Sequence, residues 1–300
     1  MKRFTIRRFI FIFLAFCMMW GLIFIYNRVT DGFSVREMTS YLPFNPLWEV
    51  PSPSSQLADQ LDRIFSQEYR YIGKGCQFYA FKSDDDKYVI KFFKHKHLRP
   101  LVWMNKLPIP PFFREYAKEK IEKRQQRIDN LFSSCKLAYE ELSYETGVIF
   151  LHLNRTPNIN RRVVIYDKLG LRHKIDLNRY EFVLQVKADT VEASFTNLMN
   201  KGQIELVQSK ITQLIDVVVA RCEKGIRDRD RSFVPNVAFC HGEERAVFVD
   251  IGQFFKDEEI KSEGGLRQEV EKRLNHLHWW TEKHFPELTP FVEQEIARRL

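Results

Sequence analysis

Three aspartates and one amide fall within one stretch, Gly225 to Gly252, which reads GIRDRDRSFVPNVAFCHGEERAVFVDIG. Asp228 and Asp230 sit in its charged opening loop, Asn236 begins an apolar run, and a second apolar run ends in Asp250-Ile251-Gly252. Far upstream, Gly73-Lys74-Gly75 precedes an aromatic-rich run, and Lys91 follows Val89-Ile90. Glycines in a turn let backbone N–H groups approach a phosphate, and a lysine on a neighbouring strand can neutralise it. A lone Gly-x-Gly is a weak signal and by itself fits a plain hairpin turn better. Its weight comes from the lysine and the acidic loop together.

The elements that must position these residues are legible from periodicity. Ile211, Leu214, Ile215, Val218 and Val219 follow the spacing of a buried helical stripe between Ile204 and Lys224, and Gly225 is a residue that ends helices. Residues 236–240 and 245–249 flank His241-Gly242-Glu243-Glu244, which predicts a β-hairpin delivering Asp250. Upstream, residues 71–93 predict three strands with an acidic turn at Ser83 to Asp86. Residues 112–145 keep helical spacing through Ile128, Leu131, Phe132, Cys135 and Leu142, so one long helix is expected there. Four further strand-like runs, starting at Gly147, Arg162, Leu171 and Tyr180, would complete an antiparallel lobe, with a hinge at Gln185 to Ala188. Two helices are expected after Gly252, the first carrying His276, His278, Trp279 and Trp280 as packing residues.

This order of glycine turn, strand lysine, helix, acidic loop, Asn and Asp-x-Gly resembles the protein-kinase-like superfamily. The resemblance covers roughly residues 65 to 285 and rests on short motifs. It implies an α+β, two-lobed fold with a β-rich region at 57–189 and a reduced helical lobe at 190–300. By that likeness Gly73, Gly75 and Lys91 would bind the phosphates of ATP, and Glu140 or Glu141 on the long helix would pair with Lys91. Asn236 and Asp250 would hold Mg²⁺. The catalytic aspartate would be Asp228 or Asp230, which lie eight and six positions before Asn236, whereas the family spacing is five. Phe78 replaces the third glycine, and the usual loop histidine is absent. The Ala-Pro-Glu motif and the helical platform behind it are also missing, which disfavours a polypeptide substrate and favours a small or lipid-linked hydroxyl acceptor.

Composition bounds the rest. The chain has 300 residues, is 44% hydrophobic and 29% charged, and carries a net charge of +8, values that exclude wholesale disorder and suit phosphate-bearing or anionic partners. Its five cysteines are isolated, without a zinc spacing or a disulfide framework. Residues 9–26 contain no charge and follow a basic tail at 1–8, the pattern of a transmembrane anchor, with a cleaved signal peptide as the competing reading. Basic residues before the segment predict an N-terminus inside and a main domain outside the cytoplasm. Residues 27–56, with Pro43, Pro46, Pro51 and Pro53, predict a juxtamembrane linker whose Tyr41 to Val50 portion packs back on the domain. The basic run from Lys94 to Arg127 fits an anionic lipid, a lipid-linked substrate or a solvated helix face, and no nucleic-acid module surrounds it. Asn154-Arg155-Thr156 forms a glycosylation sequon that carries no weight alone.

Two other readings stand beside the kinase-like one. In a pseudokinase the fold would persist as a tethered binding or scaffold protein, and in an unrelated membrane-surface protein the motifs would be coincidental.

Overall fold

A computed structural model describes residues 2–98, 110–241 and 245–299. The chain begins with helix α1 (Lys2–Thr30), whose side chains from Phe11 to Tyr26 are almost all exposed. Its segment Phe11–Thr30 is apolar and, apart from the buried Thr30 at its end, is not covered by the rest of the chain, so among the described residues it is one helix long and apolar enough to cross a membrane. A signal sequence would have the same character.

Helix α2 (Val35–Met38) and helix α3 (Ser55–Phe65) follow. Ser54 caps α3 by accepting from the Leu57 N–H, and Leu61, Ile64 and Phe65 bury its inner face. Next come β1 (Glu68–Lys74), β2 (Phe78–Ser83) and β3 (Tyr88–Phe93), the three expected strands. Helix α4 (Pro111–Glu140) is long but stops before Leu142, and a separate turn of helix, α5 (Ser143–Thr146), follows it. The expected unbroken helix to residue 145 is thus interrupted. The break lets the chain reverse at Gly147, whose φ of 64° is left-handed, into β4 (Val148–His152).

Strands β5 (Arg162–Tyr166) and β6 (Arg172–Asp176) form a hairpin, and β7 (Phe182–Val186) runs toward β8 (Ala188–Thr190). The large sheet has the order β4-β7-β3-β2-β1-β5-β6. Its β1–β5 edge is parallel, with Tyr69 opposite Ile165, so the sheet is mixed and the expectation of a wholly antiparallel lobe is corrected. The reason is topological: the β5–β6 hairpin, inserted between β4 and β7, finds the open edge of β1 on the far side of the sheet.

Helices α6 (Val191–Asn200) and α7 (Ile204–Glu223) lead to β9 (Ile226–Asp228). Gly225 ends α7 with φ of 70°, and a Cβ there would lie 2.6 Å from the Lys261 side chain. Strands β10 (Val237–Cys240) and β11 (Ala246–Phe248) make the expected hairpin, though its turn at 242–244 lies outside the described residues. Strand β12 (Phe254–Lys256), helix α8 (Glu263–His284) and helix α9 (Thr289–Arg299) complete the chain. On α8, Trp280 is buried, whereas Trp279 is 56% exposed because it lies one step around the helix from the inward face. Trp279 therefore lies outside the core, with its ring 6.1 Å from that of His276.

Two apolar cores sit on opposite faces of the large sheet. One joins α4, α6, α7, α8 and the β10–β11 hairpin; the other joins α3, the outer sheet face and the chain after α1. That post-anchor chain is no free connector: Phe33, Met38, Leu42 and Trp48 are buried, and Trp48 packs edge-on against Phe132 of α4 at 4.7 Å. The sequon residue Asn154 is also buried, accepting from the Asn45 N–H and donating to the Asn45 carbonyl. A side chain closed in this way cannot carry a glycan.

Candidate functional site

Lys91 and Asp250, far apart in sequence, meet between the sheet and the hairpin. Strand β3 is buried on both faces, at Val89, Ile90, Phe92 and Phe93, and Lys91 is left part-buried between them. Its Nζ donates to the Val249 carbonyl at 2.7 Å. Burial lowers the Lys91 pKa from 10.5 to about 8, with the nearby Asp250 carboxylate opposing that shift. Asp250 accepts from the Gly252 N–H at 3.1 Å, which fixes the Asp-Ile-Gly turn.

Asn236 joins this pair through the hairpin. The register places Val237 opposite Phe248, and the Val249 N–H donates to the Asn236 carbonyl at 2.8 Å. Asn236 and Asp250 therefore lie at the same end of the two strands. Neither side chain is fully buried. Among the described residues no group of three His, Cys, Asp or Glu is arranged to hold a metal. A hard divalent cation at this end would have to complete its oxygen shell from a ligand and water, which is how Mg²⁺ is commonly held beside phosphates.

The two candidate aspartates separate sharply. Asp228 is 5% exposed and faces Arg221 Nη1 at 3.5 Å and Arg273 Nη2 at 3.8 Å. Arg273 also donates to the carbonyls of Asp228 at 2.9 Å and Asp230 at 2.6 Å, while Glu269 joins both arginines. Burial raises the Asp228 pKa in spite of the two arginines. For Glu269 the arginines win over burial and lower the pKa. Asp228 thus belongs to a buried four-residue ion network that holds the loop. Asp230 is only partly buried, accepts from the Ser232 N–H at 2.8 Å, and is the aspartate that faces outward from that network.

The expected glutamate partner of Lys91 is corrected. Glu141 pairs with Lys256, and Glu140 lies 3.8 Å from Lys136 on the outer side of α4. Helical phase explains this, because the face of α4 that meets the hairpin carries Ser134 and Cys135 instead. Ser134 Oγ donates to the Ile251 carbonyl and accepts from the Phe254 N–H, both at 2.6 Å. Burial pushes the Cys135 thiol pKa up, with Asp250 adding to it and Lys91 opposing it. Ser134 is the residue that sequence reasoning missed. A hydroxyl three positions from the apolar stripe residue Leu131, on the helical spacing of that stripe, was the available signal.

The glycine turn is built differently from the expectation. Gly73 lies at an irregularity in the β1–β2 register, and the Gly75 N–H donates to the Phe78 carbonyl at 3.0 Å instead of facing a ligand. From the same turn, Gln77 reaches down onto Gly252, where a Cβ would lie 1.9 Å from Gln77 Oε1. The glycine of Asp-Ile-Gly is thus the seat for the turn. Beside this contact opens a cleft of about 440 Å³, whose wall includes Lys94, Arg127 and Arg229. A second cavity of about 300 Å³ lies at Trp48 to Pro53, α3 and β4, and none of Lys91, Asp230, Asn236 or Asp250 lines it. Of the basic run from Lys94 to Arg127, residues 99–109 lie outside the described residues.

No protein-family model matches this chain, and no curated protein matches it either.

Proposed function

We propose that this chain is a divergent kinase-like protein, held at a membrane by α1, that binds Mg-ATP between the large sheet and the β10–β11 hairpin. On this reading it transfers the terminal phosphoryl group to a hydroxyl of a small or lipid-linked acceptor. The observation that carries the proposal is the Lys91 to Val249 bond, which brings a β3 lysine beside Asp250 and Asn236 from the other half of the chain. Phosphoryl transfer requires charge neutralisation and in-line positioning more than covalent chemistry, and these residue types supply both.

Lys91 would hold the nucleotide phosphates, and Asn236 and Asp250 would hold Mg²⁺. The nucleotide supplies the transferable phosphoryl group. Asp230, outward-facing and carried by the Arg273 clamp on its own carbonyl, orients the acceptor hydroxyl and takes its proton. Asp228 positions the loop. Ser134 fixes the turn that carries Asp250.

The pseudokinase reading draws on one specific contact. Gln77 rests on Gly252 while the Gly75 N–H is already bonded, so the turn is folded against the site rather than open above it. A thermal unfolding series on the full chain in detergent micelles separates the two. Mg-ATP is expected to raise the midpoint, and Lys91→Ala and Asp250→Ala to abolish that rise. No rise in the folded wild type refutes nucleotide binding; a rise without hydrolysis or transfer of labelled phosphate selects the pseudokinase.

A further inference from the structure

We propose that the cleft beside Gly252 is an anion subsite that recognises a phosphomonoester on the acceptor, so that the acceptor is a hydroxylated, phosphate-bearing molecule. The proposal rests on the kinase-like reading only for the word acceptor; the anion site itself is argued from the cleft. Three cations line it from three separate elements: Lys94 after β3, Arg127 on α4, and Arg229 after β9. Among the described residues no carboxylate lines it. Like charges brought together without counter-charges raise a positive potential in a concave, partly desolvated wall, and such a wall concentrates anions.

Two of the cations are also held in place. Lys94 bonds the Gly75 carbonyl, and its ammonium lies 4.6 Å from the centre of the Tyr79 ring. Burial, followed by repulsion from Lys74, lowers the Lys94 pKa, a tension that an anion would relieve. The Arg229 guanidinium lies 4.2 Å over the Phe255 ring, and its backbone N–H donates to the Gln253 carbonyl at 3.1 Å. A guanidinium stacked on a ring keeps its in-plane donors for a ligand, and arginine suits phosphate oxygens through paired donors.

The same wall contains an acceptor in need of a donor. Gln77 Oε1 is buried and has no hydrogen-bond partner among the described residues. A ligand hydroxyl would satisfy it once the amide turns from Gly252 toward the cleft. Three cations and one carbonyl oxygen, next to the turn that carries Asp250, together fit a phosphate and a hydroxyl on one small molecule. The phosphate could belong to a soluble compound or to a lipid headgroup.

The test uses the full chain in neutral detergent micelles and follows the thermal midpoint. Glycerol 3-phosphate is titrated in one arm, and micelles doped with phosphatidic acid are compared with phosphatidylcholine-doped micelles in the other. Each is measured for the wild type and for the Arg127→Gln/Arg229→Gln double variant, with Mg-ATP as a parallel ligand. The expected result is a rise with at least one phosphomonoester, shifted about tenfold or more in half-saturating concentration by the double variant, while the Mg-ATP response stays. A response to glycerol 3-phosphate identifies a soluble acceptor; a response to phosphatidic acid alone identifies a lipid headgroup. An unchanged half-saturation in the double variant, or no response to either probe, overturns the proposal. A phosphomonoester response that persists when Mg-ATP gives none would instead remove the nucleotide reading and leave the anion site standing.

Discussion

Asp228→Asn and Asp230→Asn should fail in different ways. Asp228, Glu269, Arg221 and Arg273 form a buried network with two charges of each sign, and all four side chains are 5% exposed or less. Asparagine at 228 keeps the shape and can still accept from the Asp230 N–H, but it leaves two guanidinium groups facing one carboxylate. Removing one partner of a buried ion pair typically costs about 3–5 kcal/mol. For a chain of this size each kcal/mol moves the unfolding midpoint by roughly 2–4 °C, so a drop of about 6–20 °C is expected. Asp230 lies outside the network, so Asp230→Asn should shift the midpoint by about 1 kcal/mol or less while abolishing phosphoryl transfer. The assay is thermal unfolding by circular dichroism beside transfer of labelled phosphate to the acceptor found in the titration above. A wild-type midpoint for Asp228→Asn combined with lost turnover would refute the reasoning and make Asp228 the catalytic base. Loss of stability in Asp230→Asn would be equally damaging.

Three further outcomes are expected. The folded-state pKa of Lys91 lies near 8, below its ordinary 10.5, so its burial opposes folding while it is protonated in both states, and that penalty fades as pH rises from about 8 to 10.5. Lys91→Met should therefore flatten the stability profile over that window, and in the wild type the Mg-ATP-induced midpoint rise should shrink as pH passes 8, because only the ammonium form neutralises phosphate. Ser134→Ala orphans the Ile251 carbonyl and the Phe254 N–H, at a cost of about 1–3 kcal/mol, and should weaken Mg-ATP binding beyond that loss because the Asp250 turn is freed; isothermal titration with Ser134→Thr as a control checks it. Phe33→Ala removes a ring packed within 5.5 Å of both Tyr79 and Phe81, and should cost about 3–5 kcal/mol in chemical denaturation, a loss that a solvated linker would not show.

Much of the local structure was legible because short-range rules govern it. Two apolar, aromatic-rich runs around the acidic turn in 78–93 suffice for a hairpin, Gly225 ends a helix that its apolar stripe announces, and the runs around His241 make the β10–β11 pair. The apolar residues 9–26 likewise announced the helix that opens the chain. Less legible was everything that depends on how these pieces lie against one another. Glu140 and Glu141 matched the expected residue type, yet the phase of α4 on the hairpin turned Ser134 inward. The packing back of Tyr41 to Val50 was legible, but not that Trp48 would meet the ring of Phe132.

By itself, then, the sequence determined the elements and the anchor-like helix, since both follow from residue type and spacing along the chain, and it singled out the residues proposed to meet phosphate and a divalent cation. Only the tertiary structure decided which aspartate faces outward. Arg273 reaches Asp228 from a helix 45 positions further along the chain, and burial converts one of two similar carboxylates into a structural ion while its neighbour stays partly exposed. The parallel β1–β5 edge and the convergence of Lys94, Arg127 and Arg229 on one cleft were decided in the same way. Long-range packing chooses partners by shape and desolvation, and neither is written in the spacing of residues along a chain.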